Sequence, residues 1–166
     1  MQNANKKSES IPIEKYLPHN FLAEKIILSS LLVSSEAIEI TLRSVKIETF
    51  YFKNHQELYQ AIIEMYSKKI PIDIVTLNTF LQDTGRLNEV GGTAVLVELI
   101  NYIPNLLYLE DYIKLIHDKF LRRSLIKLGY KIINSAYVTN LSLESLLSTL
   151  ESDVFNLTNQ IKIQKI

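Results

Sequence analysis

Residues 109–138, LEDYIKLIHDKFLRRSLIKLGYKIINSAYV, contain no proline and a single glycine, Gly129, and their reading decides the fold. At 1.5 Å per residue the stretch forms one helix of about 45 Å. Its apolar residues cover more than one side. Tyr112, Ile113, Ile116 and Phe120 suit one face, while Leu121, Leu125, Leu128 and Ile132 follow a second spacing, rotated around the helix. The break at Thr139-Asn140-Leu141 is short, so the next helix is an antiparallel neighbour. That helix carries Leu143, Leu147, Leu150, Val154, Leu157 and Ile161 at intervals of 4, 3, 4, 3 and 4, a heptad seam. The C-terminal third is therefore a helical hairpin. Two arms bury one another with one stripe each, so the surplus apolar side of the first arm predicts another partner, either the chain's own N-terminal part or another subunit.

Upstream the periodicity is helical as well. After Pro18, Asn20 caps a helix with apolar pairs at four-residue spacing, Leu22 with Ile26 and Ile27 with Leu31, and Glu24 lies near its start, where the helix dipole favours a carboxylate. A short second helix spans Glu36 to Arg43, and Phe50, Tyr51 and Phe52 fill the turn before a third. The third begins near Asn54, carries Leu58, Ile62, Met65 and Tyr66, and ends before Pro71, since a residue preceding proline disfavours the α region. Asp73 or Thr76 caps a fourth, which runs to about Asp83 and is stopped by Gly85 in a left-handed conformation. Gly91-Gly92 opens a fifth, with Val95, Leu96, Leu99 and Ile100 as its stripe and Pro104 closing it. The expected class is all-α: a disordered lead-in over 1–16, a compact helical bundle over 17–107, a long antiparallel hairpin over 108–160, and the start of a linker or tail over 161–166.

Composition removes several function classes. Among 166 residues, 18 Lys+Arg balance 18 Asp+Glu, which argues against a polybasic nucleic-acid coat or a cationic membrane-surface protein. There are no cysteines, hence no disulfide framework, thiol nucleophile or cysteine metal site. The longest apolar runs, Ala94 to Val97 and Leu106 to Leu109, are four residues, far short of the roughly 20 that a membrane span requires. No membrane association is expected. The first ten residues, MQNANKKSES, are polar and lack the apolar stretch of a secretory signal. The 22 Ile, 14 Lys and 12 Asn beside 6 Ala and 4 Arg fit an AT-rich genome, which leans the source to a plastid stroma and leaves a bacterial cytoplasm open.

A search for chemistry returns little. No segment has the two glycines four residues apart, followed by Lys and Ser or Thr, with which a P-loop cradles phosphates. His19, His55 and His117 fall on three separate elements, none at the spacing of a zinc-binding pair. His55, near a helix start and close to Phe50 and Tyr51, suits packing or hydrogen bonding better than catalysis. No catalytic, cofactor-binding or metal-binding residue is assigned. Between Lys114 and Lys131 six cations face one anion, Asp118, and the second arm carries Glu144, Glu151 and Asp153. Pairing across the hairpin or between subunits is one use of that charge. The alternative is a helical nucleic-acid-binding domain whose basic stripe is Lys119, Arg123, Lys127 and Lys131, recurring every four residues.

Several segments together resemble one family, the N-terminal domain of the DnaB-type replicative DNA helicase. They are Leu17-Pro18-His19-Asn20 followed by Ala23-Glu24, Phe50-Tyr51 with His55 four residues on, Pro71-Ile72-Asp73-Ile74-Val75-Thr76-Leu77, and Gly85 with Glu89-Val90-Gly91-Gly92. Tyr112, Arg122-Arg123 and Ala136 also match, and the ordered set covers about Leu17 to Leu157. Thr49 stands where the family usually has an acidic residue, and Val95 where it usually has tyrosine.

The resemblance implies a non-catalytic collar module. In that family the domain's hairpin pairs with a neighbour's, dimers assemble into a hexamer, and the collar docks primase in DNA replication. Ile126 and Ile132 resemble family positions that affect primase contact, and Leu121, Leu125 and Leu128 join them as partner-binding candidates. The parent protein would be an ATP-dependent DNA helicase. Its ATP and Mg, and most of its DNA contact, belong to a RecA-like motor domain that follows in the family; no cofactor is expected in these 166 residues.

Overall fold

The computed structural model describes residues 17–164 apart from residue 103. All regular elements among the described residues are helical. They are α1 (Phe21–Val33), α2 (Ser35–Ser44), a 3-10 turn (Ile47–Thr49), α3 (Lys53–Ser67), α4 (Ile74–Asp83), α5 (Thr93–Ile100), a second 3-10 turn (Leu106–Tyr108), α6 (Leu109–Ala136) and α7 (Leu143–Gln164). The expected all-α class is what the chain adopts. The lead-in proposed for 1–16 lies outside the described residues, as do 165 and 166; α7 continues past position 160 to Gln164.

Local chemistry accounts for the element ends. The Asn20 side chain accepts from Ala23 N–H at 2.9 Å and starts α1. Ser34 serves two helices: its N–H donates to Ser30 O at 3.1 Å, closing α1, while its hydroxyl accepts from Ala37 N–H at 3.2 Å, opening α2. At α4, Asp73 and Thr76 both contribute. Asp73 accepts from Thr76 N–H and the Thr76 hydroxyl accepts from Asp73 N–H, each at 2.9 Å, a reciprocal capping box. Gly85 has φ +68° and lets Arg86 N–H return to Leu81 O at 2.8 Å. Gly91 has φ +101°, and a Cβ there would meet Val95 Cγ2 at 2.6 Å, so only glycine fits this turn.

α1 is the centre of the bundle. It touches α2, α3, α5 and α6 and buries residues on every side, which is why its sequence is apolar all round rather than striped. Ile27, Leu28 and Leu31 meet Leu58, Tyr59, Ile62 and Met65 of α3, Leu77 and Leu81 of α4, Leu96 of α5 and Ile116 of α6 in one core. Each such side chain, fully buried, stabilises the fold by roughly 1.5–3 kcal/mol. Leu22 and Tyr66, read with the apolar residues of α1 and α3, are 50% and 46% exposed.

α6 divides into two halves. Leu109, Ile113, Ile116, His117 and Arg123 are buried, and beyond Arg123 no residue of α6 is. Among the described residues the distal half runs beside α7. Ser142 starts α7, its carbonyl taking Leu146 N–H and its hydroxyl Ser145 N–H, both at 3.1 Å. The arms run antiparallel, with Lys131 Nζ 2.7 Å from Asp153 Oδ2 and a shallow groove between Ser124, Lys127 and Leu128 on one side and Asn156 and Leu157 on the other.

Candidate assembly surface and the joint beneath it

The hairpin exposes more apolar surface than its two arms cover. On α6, Leu125 and Ile132, seven residues apart, are 55% and 39% exposed. On α7 the heptad seam splits. Leu150 and Leu157 are half-buried, whereas Leu143, Leu147, Val154 and Ile161 remain exposed. One facing helix covers one side of a seam and no more, so the remainder stands open to solvent. Leu121, Ile126 and Leu128 are half-buried. Of the two partners the surplus allowed, the bundle takes the proximal half of α6, and the distal half faces away from it.

The candidate basic stripe does not survive folding intact. Lys127 and Lys131 are exposed and Lys119 is half-buried, but Arg123 is only 5% exposed. The expectation that Arg123 offers its charge to phosphate is corrected here. Its Nη1 donates to Pro18 O at 2.8 Å and its Nη2 to Thr49 O at 2.9 Å. Its guanidinium lies over the rings of Tyr51 and Phe120, at 5.3 and 5.7 Å from their centroids. Lys131, for its part, is engaged with Asp153. The register carried a signal: Leu109, Ile113, Ile116, Phe120 and Arg123 recur at 4, 3, 4 and 3, so Arg123 continues the face that packs on the bundle.

Beneath Arg123 sits a second charge that the sequence reading took for a helix-dipole residue. Glu24 is buried in α1, accepting from Tyr51 N–H at 3.0 Å, from Phe52 N–H at 3.4 Å and pairing with His55 Nδ1 at 3.0 Å. Burial pushes the Arg123 guanidinium below its ordinary value, and the charge of Glu24 acts against the shift. His19 stacks on Tyr51 with ring centroids 4.6 Å apart. Arg123 and Glu24 thus tie three pieces of chain together: the segment before α1, the loop before α3, and the middle of α6.

Among the described residues no group of His, Asp and Glu is placed to hold a metal ion, and no helix is long and apolar enough to cross a membrane. A depression of about 810 Å³ lies along one face of α6, over Tyr108, Asp111, Tyr112, Lys114, Leu115 and Asp118, with no nucleophile and base converging on it.

A helical bundle followed by a long antiparallel hairpin whose apolar residues are only partly covered is the class of domain that this fold defines. The chain belongs to the DnaB-like helicase N-terminal domain family, whose profile matches residues 16–118. A probable replicative DNA helicase from Trieres chinensis is 63% identical over all 166 residues, which make up 36% of that protein. The replicative DNA helicase DnaB of Synechocystis is 30% identical over 141 residues, 85% of this chain and 16% of the relative. The crystal structure of the N-terminal domain of DnaB helicase from Mycobacterium tuberculosis matches with a TM-score of 0.78 at 26% identity, over 85% of this chain and 99% of that one. The chain spans about a third of the first relative's length and about a sixth of the second's.

Proposed function

We propose that this chain is the non-catalytic collar module of a hexameric replicative helicase, joining subunits through its hairpin and presenting a docking surface to primase. The observation that carries the reading is the pair of open stripes, Leu125 and Ile132 on α6 and Leu143, Leu147, Val154 and Ile161 on α7. One exposed leucine contributes at most ~3 kcal/mol on burial, less than an association cost of about 4 kcal/mol or more. Six such side chains, doubled by a two-fold axis, exceed it. Dimers formed this way would assemble into the hexamer, with Ile126 and Ile132 near the primase contact.

The whole protein would then be an ATP-dependent DNA helicase, its ATP, Mg and DNA handled by a RecA-like domain outside these residues. For its compartment we propose a plastid stroma, or else a bacterial cytoplasm, on the strength of the Ile-, Lys- and Asn-rich usage and of relatives in Trieres chinensis and Synechocystis.

Sedimentation equilibrium of the chain, with and without a cognate primase fragment, tests the reading. Dimers or larger species that bind the fragment support it. A monomer at high concentration that ignores the fragment overturns it.

A further inference from the structure

We propose that Arg123 is a positioning residue: held by the Pro18 and Thr49 carbonyls and by the Tyr51 ring above buried Glu24, it sets the direction in which the hairpin leaves the bundle. The inference rests on the assembly reading only for its consequence, since the angle itself is a property of a single chain.

The argument begins with where α6 loses its support. Leu109, Ile113, Ile116 and His117 pack on the bundle, Arg123 is the last buried residue of the helix, and everything beyond it is half-buried or exposed. Arg123 is therefore the fulcrum of a lever. From Arg123 to Ala136 the lever arm is about 20 Å, so a tilt of about 10° displaces its end by roughly 3 Å. A surface that must meet a second copy in register tolerates little of that.

The chemistry at the fulcrum suits a fixed angle better than a greasy contact would. Apolar packing is non-directional, whereas the guanidinium fork presents donors in a rigid plane. Here two of them reach carbonyls from separate segments, Pro18 O at 2.8 Å and Thr49 O at 2.9 Å. The Tyr51 ring, 5.3 Å from the guanidinium carbon, lies against the fork. Tyr51 is itself fixed, its N–H on Glu24 and its ring stacked on His19. A lysine in the same place would keep the charge yet lose the planar two-point grip.

The absence of cysteine from the sequence makes the angle measurable. Spin labels on Asn140→Cys at the hairpin tip and Gln82→Cys on α4 report bundle-to-tip distance, in samples diluted with unlabelled chain. A second pair, Gln60→Cys and Gln82→Cys, reports the bundle alone. With Arg123→Lys and Arg123→Ala we expect the bundle-to-tip distribution to broaden or shift by roughly 3 Å or more, while the bundle pair stays as in the parent. An unchanged tip distribution in both variants overturns the proposal. So does equal broadening of both pairs, which would make Arg123 a support of the bundle rather than of the angle. Either result stands apart from the assembly reading, because a parent chain that sediments as a monomer still gives a tip distance.

Discussion

The backbone N–H of Tyr51 reaches Glu24 Oε2 at 3.0 Å, joining the loop before α3 to the middle of the bundle. Phe52 N–H and His55 use the other carboxylate oxygen, and Glu24 is 1% exposed. At that burial bulk solvent does not reach the carboxylate. Glu24→Ala leaves these donors without an acceptor beside a buried Arg123, and should destabilise the fold by roughly 3–5 kcal/mol. Glu24→Gln, which keeps an acceptor but turns an NH2 group on donors, should cost less. Urea unfolding followed by circular dichroism measures both. A loss below about 1 kcal/mol for the alanine variant would mean that the loop finds other partners.

The open stripe on α7 makes a different kind of prediction. Leu147 is 51% exposed, so a charge there has little to disturb in the lone chain. Leu147→Glu should leave unfolding within about 0.5 kcal/mol of the parent. Self-association should weaken at least tenfold, about 1.4 kcal/mol. Sedimentation velocity across a concentration series gives the second number and thermal unfolding at low concentration the first. Parent-like association would show that Leu147 lies outside the contact.

Much of the fold was legible because its signals are local. A proline-free stretch gave α6, Asn20 and Asp73 marked helix starts with their own side chains, and Gly85 and Gly91 marked turns that demand positive φ. What escaped was set by partners distant in sequence. Glu24 is buried because Tyr51, Phe52 and His55 come to it from 27 to 31 residues away, and Arg123 because Thr49 O lies 74 residues back. A charge on a helix is ordinarily solvated, and that prior set Arg123 on a surface stripe although its register placed it on the packed face. The α7 seam was read as one contact line. A single facing helix covers only Leu150 and Leu157 of it, even partly.

Tyr59 shows the opposite balance, a large side chain whose one polar atom is accommodated. It is fully buried and its hydroxyl donates to Val45 O at 2.7 Å, with Thr41 O at 3.4 Å beside it. Burial holds the phenol well above its ordinary value, so it stays a donor throughout the range in which the protein is handled. Tyr59→Phe keeps the ring packed against Phe50 and removes only the hydroxyl, stranding the Val45 carbonyl at the end of α2. The expected loss is about 1 kcal/mol in chemical denaturation, with the unfolding slope unchanged. A loss of several kcal/mol would mean that the ring had moved.

His117 ties stability to pH. It is buried where α6 meets the bundle; desolvation lowers its pKa below the usual histidine value, and a hydrogen bond with the Ser44 backbone opposes the shift without reversing it. Between the folded and the unfolded values the unfolded chain therefore binds more protons, so stability rises with pH across that window. The contribution is complete above about pH 6.5, the unfolded value, and is lost as pH falls through the folded one. Asp73 does not blur this, because the Thr76 N–H holds its carboxyl below the usual aspartate value and its contribution disappears only at more acid pH. Urea midpoints for the parent and for His117→Gln should converge as pH falls from about 7.5 to 5, the parent losing more because only it carries the buried imidazole. His19 and His55 are present in both proteins and cancel in the difference. Parallel curves would show that the His117 ring titrates alike in the folded and unfolded chains.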